Sequence, residues 1–132
     1  MEPSRLRSVP LFAELTDEEL DRCAGQFEET IILAGGGMIR EGDFSYRFFV
    51  VLEGEVDVLQ DFDRIATLGP GDYFGEMGLV SGDRRNARVV AKDRCTVAQL
   101  MTWDFKAVAD EFPSVAAHLE QTIASRTDDT HD

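Results

Sequence analysis

Glu76 and Arg85 are the residues whose types and spacing suggest chemistry. They lie in "FGEMGLVSGDRRNARVV", Phe74 to Val90, which gathers glycines, one glutamate and Arg84, Arg85 and Arg88 in a chain of formal net charge -13. Gly75 lets the backbone turn sharply and approach a ligand closely. "EMGLV" is long enough for about one helical turn. The first N–H groups of such a turn have no intrahelical partner and point outward at the positive end of the dipole. That is an anion site before any side chain is counted, and Gly78 leaves room against it. Arg85 follows the loop "SGDR" closely enough to fold back over the same site, and a guanidinium gives a phosphate two parallel hydrogen bonds. Glu76 would repel a bare phosphate, but it suits a ligand with a sugar hydroxyl beside its phosphate. Glu76 and Arg85 also neutralise and orient each other. A ribose-phosphate ligand satisfies all of these groups together, whereas a surface salt bridge would be worth only ~0–1 kcal/mol. Arg84 and Arg88 read as solvated charge offsetting nearby acids.

The elements around this stretch are well signalled. Thr16 and Glu19 form a capping box, with Leu15 and Leu20 as its hydrophobic staple. Leu20, Cys23, Ala24 and Phe27 recur at helical spacing, and Gly25 places the end of that helix nearby. From Glu28 to Leu100 short strands follow: "ETIILA", "GMIRE", "RFFVVLE", "EVDVLQ", "RIATLG", a strand ending at Tyr73–Phe74, "ARVVAK" and "CTVAQLM". Turn signals such as Gly35-Gly36-Gly37, Glu53-Gly54 and Gly69-Pro70-Gly71-Asp72 punctuate them. This spacing suggests an all-β sandwich or barrel of the jelly-roll kind, and the expected fold class is mainly β, an eight-stranded antiparallel jelly-roll barrel flanked by N-terminal and C-terminal helices. Phe105, Val108, Ala109 and Phe112 share a helical face with Thr102 as its cap. Pro113 breaks that helix and opens another, on which Ala116, Leu119 and Ile123 align. The expected organisation is one domain over 1–132: helical at 11–27, β-roll at 28–101, C-terminal helices at 102–126 and a fraying polar tail at 127–132.

Composition narrows the function. A 14.7 kDa chain of 132 residues suits a single domain with a real core. A pI near 4.4 argues against nucleic acid and anionic membrane surfaces as partners. Apolar runs such as Phe48 to Leu52 are far short of the ~20 residues a spanning helix needs. "MEPSRLRSVPLF" lacks a signal-peptide core, so a cytoplasmic location is expected. Cys23 and Cys95 have no metal spacing and read as small buried hydrophobes in a reducing compartment. His118 and His131 read as exposed helix and tail residues. Because both histidines fall beyond the strands, a cupin-like metal enzyme is disfavoured. Hydrolysis of a phosphate ester would need a metal-activated water or a general base, which the stretch does not supply. The expectation is a binder with no catalytic residue, metal or cofactor.

"REGDFSYRFFVVLEGEVDV" followed by "LGPGDYFGEMGLVSGDRRNARVV" resembles the cyclic nucleotide-binding domain family, and the likeness runs from about Leu11 to Ile123. Phe74, Gly75, Glu76, Met77, Gly78 and Leu79 match the first half of its phosphate-binding cassette; Arg85, Asn86 and Ala87 match the second. The resemblance implies that Glu76 accepts a hydrogen bond from the ribose 2′-hydroxyl and that Arg85 pairs with an exocyclic oxygen of the cyclic phosphate. The backbone amides of Gly75, Glu76, Met77, Gly78, Asn86 and Ala87 would complete the cradle. Alignment with the family's bacterial activator places Val58 and Leu68 against the base; as ordinary core they would look the same. Arg88 stands where a Thr or Ser often helps read guanine, which favours cAMP over cGMP. The resemblance further implies a sensor that reports binding by re-packing its C-terminal helices. With no helix-turn-helix after them, direct DNA binding is not expected, and the output is a homodimer, an effector domain or a partner protein. The alternative is a degenerate member that binds no nucleotide and serves as a protein-interaction scaffold.

Overall fold

The computed structural model describes residues 2–39, 47–60, 63–74 and 88–130. The chain opens with a short helix α1 (Ser4–Arg7), a 3₁₀ turn (Pro10–Phe12) and helix α2 (Asp17–Ala24). The capping box is formed at both ends. The Glu19 N–H donates to Thr16 Oγ1 at 3.2 Å, and the Thr16 N–H donates to Glu19 Oε1 at 3.0 Å. Leu15 and Leu20 on either side are buried, and Gly25 is the C-cap. Because the cap satisfies donors that the helix itself cannot, Thr16→Ala is expected to cost about 1 kcal/mol in a urea titration.

Eight strands follow among the described residues: β1 (Glu28–Ile32), β2 (Gly37–Ile39), β3 (Arg47–Glu53), β4 (Val56–Gln60), β5 (Asp63–Leu68), β6 (Tyr73–Phe74), β7 (Arg88–Ala91) and β8 (Cys95–Met101). They form two four-stranded sheets, ordered β1-β8-β3-β6 and β2-β7-β4-β5. Every pairing is antiparallel. The chain then enters α3 (Thr102–Glu111) and α4 (Pro113–Thr130).

Within the first sheet, β3 is buried on both faces, and this explains its unbroken apolar run. Phe48 and Val50 join a core shared with the helices, together with Ala98 and Leu100 of β8. Phe49 and Val51 point the other way, into the interior of the roll, with Cys95 and Val97 of β8 and Val56, Val89 and Ala91 of the second sheet. A strand hidden on both sides has no polar face to alternate with. Period-2 geometry then sorts neighbouring residues into different cores. Two-residue β6 follows the same rule: Tyr73 belongs to the helical core and Phe74 to the roll interior.

The turn between β3 and β4 depends on Gly54. Its φ is +84°, and an added Cβ would lie 2.5 Å from the Arg94 carbonyl oxygen and 2.9 Å from Cys95 Sγ. A side chain here would be both strained and obstructed.

The C-terminal helices depart from expectation in two places. Thr102 is the first residue of α3 and Met101 occupies the N-cap, without a side-chain cap bond. β8 runs directly into α3, so extended Met101 supplies the non-helical residue that a cap position needs. Helix α4 continues to Thr130 rather than ending at 126. Nothing between Ser114 and Thr130 is glycine or proline, so no residue forces the helix to stop.

Candidate ligand-binding site

Seven of the nine residues singled out from the sequence, namely Gly75, Glu76, Met77, Gly78, Arg85, Asn86 and Ala87, lie outside the described residues. The frame that carries them is described. Segment 75–87 leaves β6 in the first sheet and enters β7 in the second, so its two ends are fixed to opposite walls of the roll.

The entry is anchored before β6 begins. The Gly69 N–H donates to Asp72 Oδ2 at 2.9 Å, and the Asp72 N–H donates to the Gly69 carbonyl at 3.0 Å. The turn is tied to β3 by Gly71 N–H to the Val51 carbonyl at 2.9 Å and Val51 N–H to the Asp72 carbonyl at 2.8 Å. Gly71 has a φ of +92°, a conformation that favours glycine. Beyond this turn, Phe74 stacks on Phe49 with ring centroids 4.9 Å apart.

The exit is anchored by the register of β7 on β4, where Arg88 faces Leu59, Val89 faces Val58 and Ala91 faces Val56. On the other side of β4, Val58 pairs with Ala66 and Val56 with Leu68. Val58 and Leu68 therefore share the inner face of the second sheet, Val58 directly beside β7, the strand that segment 75–87 enters, and Leu68 one strand further out. Both are half-buried and pack on the roll-interior core. Burial falls off along this face: Val56 is fully buried, Val58 and Leu68 partly so, and Ala66 is exposed. Its open end can take a flat apolar group, while Asp57 and Thr67 face outward, joined by a 2.9 Å hydrogen bond from Thr67 Oγ1 to Asp57 Oδ1.

Ile32, at the end of β1, is a residue the sequence reasoning missed. It is half-buried and packs on the same core as Val58 and Leu68. The signal lay in the glycines after it: a Cβ on Gly36 would come within 2.7 Å of Ile32 Cγ2, so the turn passes close over this side chain. Read only as a turn, Gly35-Gly36-Gly37 gave no hint of what it covers.

The remaining reactive groups fall into place around this frame. Both cysteines are free and buried. Burial, reinforced by the charge of Glu111, pushes the Cys23 thiol up to about 12. Burial first, then the Asp93 charge, also raises Cys95. Thiols held neutral in this way are poor nucleophiles. His118 is not an exposed helix residue: it is half-buried, with Nδ1 3.3 Å from the Tyr73 hydroxyl. The helical stripe that brings Val115 and Leu119 onto the core turns His118 partly inward as well. Among the described residues, no group of three or more His, Cys, Asp or Glu side chains is placed to hold a metal ion, and no helix is long and apolar enough to cross a membrane.

The fold is thus an antiparallel two-sheet roll flanked by helices. The family description that matches is the cyclic nucleotide-binding domain, over residues 32–112. The chain belongs to this family, whose fold is regulatory rather than catalytic. A cyclic nucleotide-gated potassium channel of Rhizobium etli is 33% identical over 119 residues, covering 90% of this chain and 33% of the channel. The crystal structure of the Thermus thermophilus catabolite activator protein matches with a TM-score of 0.82 at 29% identity, over 92% of this chain and 60% of that one. The regulatory domain of Toxoplasma gondii PKA, crystallised with cAMP, matches with a TM-score of 0.82 at 26% identity, over 93% of this chain and 48% of that one. The chain thus spans a third of the channel's length, and 60% and 48% of the other two.

Proposed function

We propose that this domain binds cAMP between the roll and segment 75–87 and passes the binding event to its C-terminal helices. The observation that carries the reading is the frame: a segment containing Glu76 and Arg85 joins opposite walls of the roll, beside the half-buried Val58 and Leu68. In this reading Arg85 and the amides of Gly75, Glu76, Met77, Gly78, Asn86 and Ala87 hold the cyclic phosphate. Glu76 accepts from the ribose 2′-hydroxyl, and the base rests on Val58 and Leu68. The relative crystallised with cAMP supports the choice of ligand. A ligand moves the helices only through its unequal affinity for their two arrangements. Helices α3 and α4, seated on the outer face of the first sheet, are the part free to re-pack. The output is carried by an effector domain, a partner protein or a second copy, in the cytoplasm.

Calorimetric titration with cAMP and cGMP tests the reading, with tighter binding of cAMP expected because Arg88 replaces the hydroxyl that would read guanine. Absence of heat and of thermal stabilisation at millimolar cAMP would overturn it in favour of a nucleotide-free scaffold. A 2′-deoxy analogue isolates Glu76. Losing one charge-assisted hydrogen bond is expected to weaken binding about tenfold, whereas equal affinity would remove the ribose role.

A further inference from the structure

Tyr73 stands where the strand leading into segment 75–87 touches the C-terminal helices. Its hydroxyl lies 3.3 Å from His118 Nδ1 on α4, and the two rings are 6.1 Å apart at a tilt of 55°. Its ring also packs on Phe48 at 5.5 Å, and Phe48 stacks on Phe105 of α3 at 3.8 Å. Tyr73 is only 4% exposed, so this polar contact forms at the edge of an apolar core, where a hydrogen bond is stronger than in water.

The position of β6 gives the contact its consequence. The strand has two residues and, among the described residues, lies at the edge of the first sheet, paired with β3 through Phe49↔Phe74 and Val50↔Tyr73. Successive side chains on a strand face opposite ways, so Phe74 reports to the roll interior and Tyr73 to the helices. A single planar peptide unit joins them. A displacement of the β6 backbone would therefore bear on both Phe74 in the roll interior and the Tyr73–His118 contact.

We infer that the Tyr73–His118 contact is the coupling element between the ligand segment and α4, holding α4 in the seated position described here and yielding when β6 is drawn toward a ligand. What draws the strand rests on the cAMP reading; the existence of the contact does not. Apolar packing by itself would also seat α4, so the test must separate the hydroxyl from the ring.

Tyr73→Phe removes one oxygen and keeps the ring, and His118→Ala removes the other partner. Hydrogen–deuterium exchange of the ligand-free full chain would be compared for the parent, both single variants and the double variant. Each single variant is expected to speed exchange of the α4 amides about two- to tenfold, the factor matching the net worth of one hydrogen bond. The double variant is expected to fall short of the sum of the two single effects, the difference being the coupling between the two side chains. Unchanged α4 exchange in Tyr73→Phe, or additive effects in the double variant, would overturn the coupling. If His118→Ala does not fold, Tyr73→Phe alone decides the first point. Saturating cAMP is then expected to alter α4 exchange in the parent and much less in Tyr73→Phe; an equal response in both would also overturn it. Failure of cAMP to bind the parent by calorimetry removes the ligand reading alone, and the ligand-free comparison still decides the contact.

Discussion

Phe105→Ala is expected to destabilise the domain by about 3–5 kcal/mol, the usual range for truncating a fully buried phenylalanine. Phe105 is 0% exposed and lies against Phe48 with ring centroids 3.8 Å apart and planes 20° from parallel. The side chain comes from α3 and its partner from the middle of β3, so the truncation opens a cavity where the helices meet the first sheet. Neither neighbour can collapse easily into the space, because Phe48 is itself held from the other side by Tyr73. Small domains are stable by only about 5–15 kcal/mol, so this one change removes a large share. In thermal unfolding followed by circular dichroism, Tm is expected to fall on the order of 10–20 °C. Phe105→Leu, which keeps most of the volume, is expected to lose far less. A loss below about 1 kcal/mol for the alanine variant would contradict the packing of α3 against β3.

Arg85→Ala is expected to weaken cAMP binding about tenfold to a hundredfold, equivalent to roughly 1.5–3 kcal/mol for a lost hydrogen bond to a charged group. Calorimetric titration reads the affinity, and the Tm of the ligand-free variant should stay close to the parent's. Arg85→Lys keeps the charge but not the two-pronged donor geometry, so its affinity is expected between the two. Parent-like binding by Arg85→Ala would show that the phosphate is held elsewhere. The acidic composition sharpens this test. With a formal charge of -13, the protein offers no general attraction to an anion, and affinity must come from local groups.

The sequence was most informative where local chemistry decides the structure. The capping box at Thr16 and Glu19 and the bounds of β3 and β8 were legible because capping, helical spacing and apolar runs are local signals. The fold class followed from the number of short strands and from the likeness of Phe74 to Val90 to one family. The order of strands within each sheet was not legible, since it depends on which faces meet after the chain turns. Thr102 was misplaced as a cap because a strand feeding straight into a helix lets the extended residue before it do that work. Ile32 was missed because the Gly36 turn just after it was read as a turn alone, and His118 was misread because its partner Tyr73 is distant in sequence. Val58 and Leu68 were singled out by alignment, and the register explains why both face the interior. Roles for Glu76 and Arg85 rest on chemistry and resemblance.

The strand order also sets a timetable for folding. β8 lies between β1 and β3, pairing Glu28 with Gln99 on one side and Arg47 with Met101 on the other. The middle of the first sheet is thus supplied by its last strand to be synthesised. The β4–β5 hairpin, joined by a short connection, can form as soon as it is made, because closing a short loop costs little entropy. The apolar run of β3 has no such local partner: two-residue β6 pairs only with Phe49 and Val50, and the rest of the ladder waits for Cys95–Met101 to emerge. Pairings so far apart in sequence slow folding and prolong exposure of sticky surface. For this chain the vulnerable interval falls between the synthesis of Phe48 and that of Met101, and a nascent chain cut short before β8 would leave its most apolar strand uncovered.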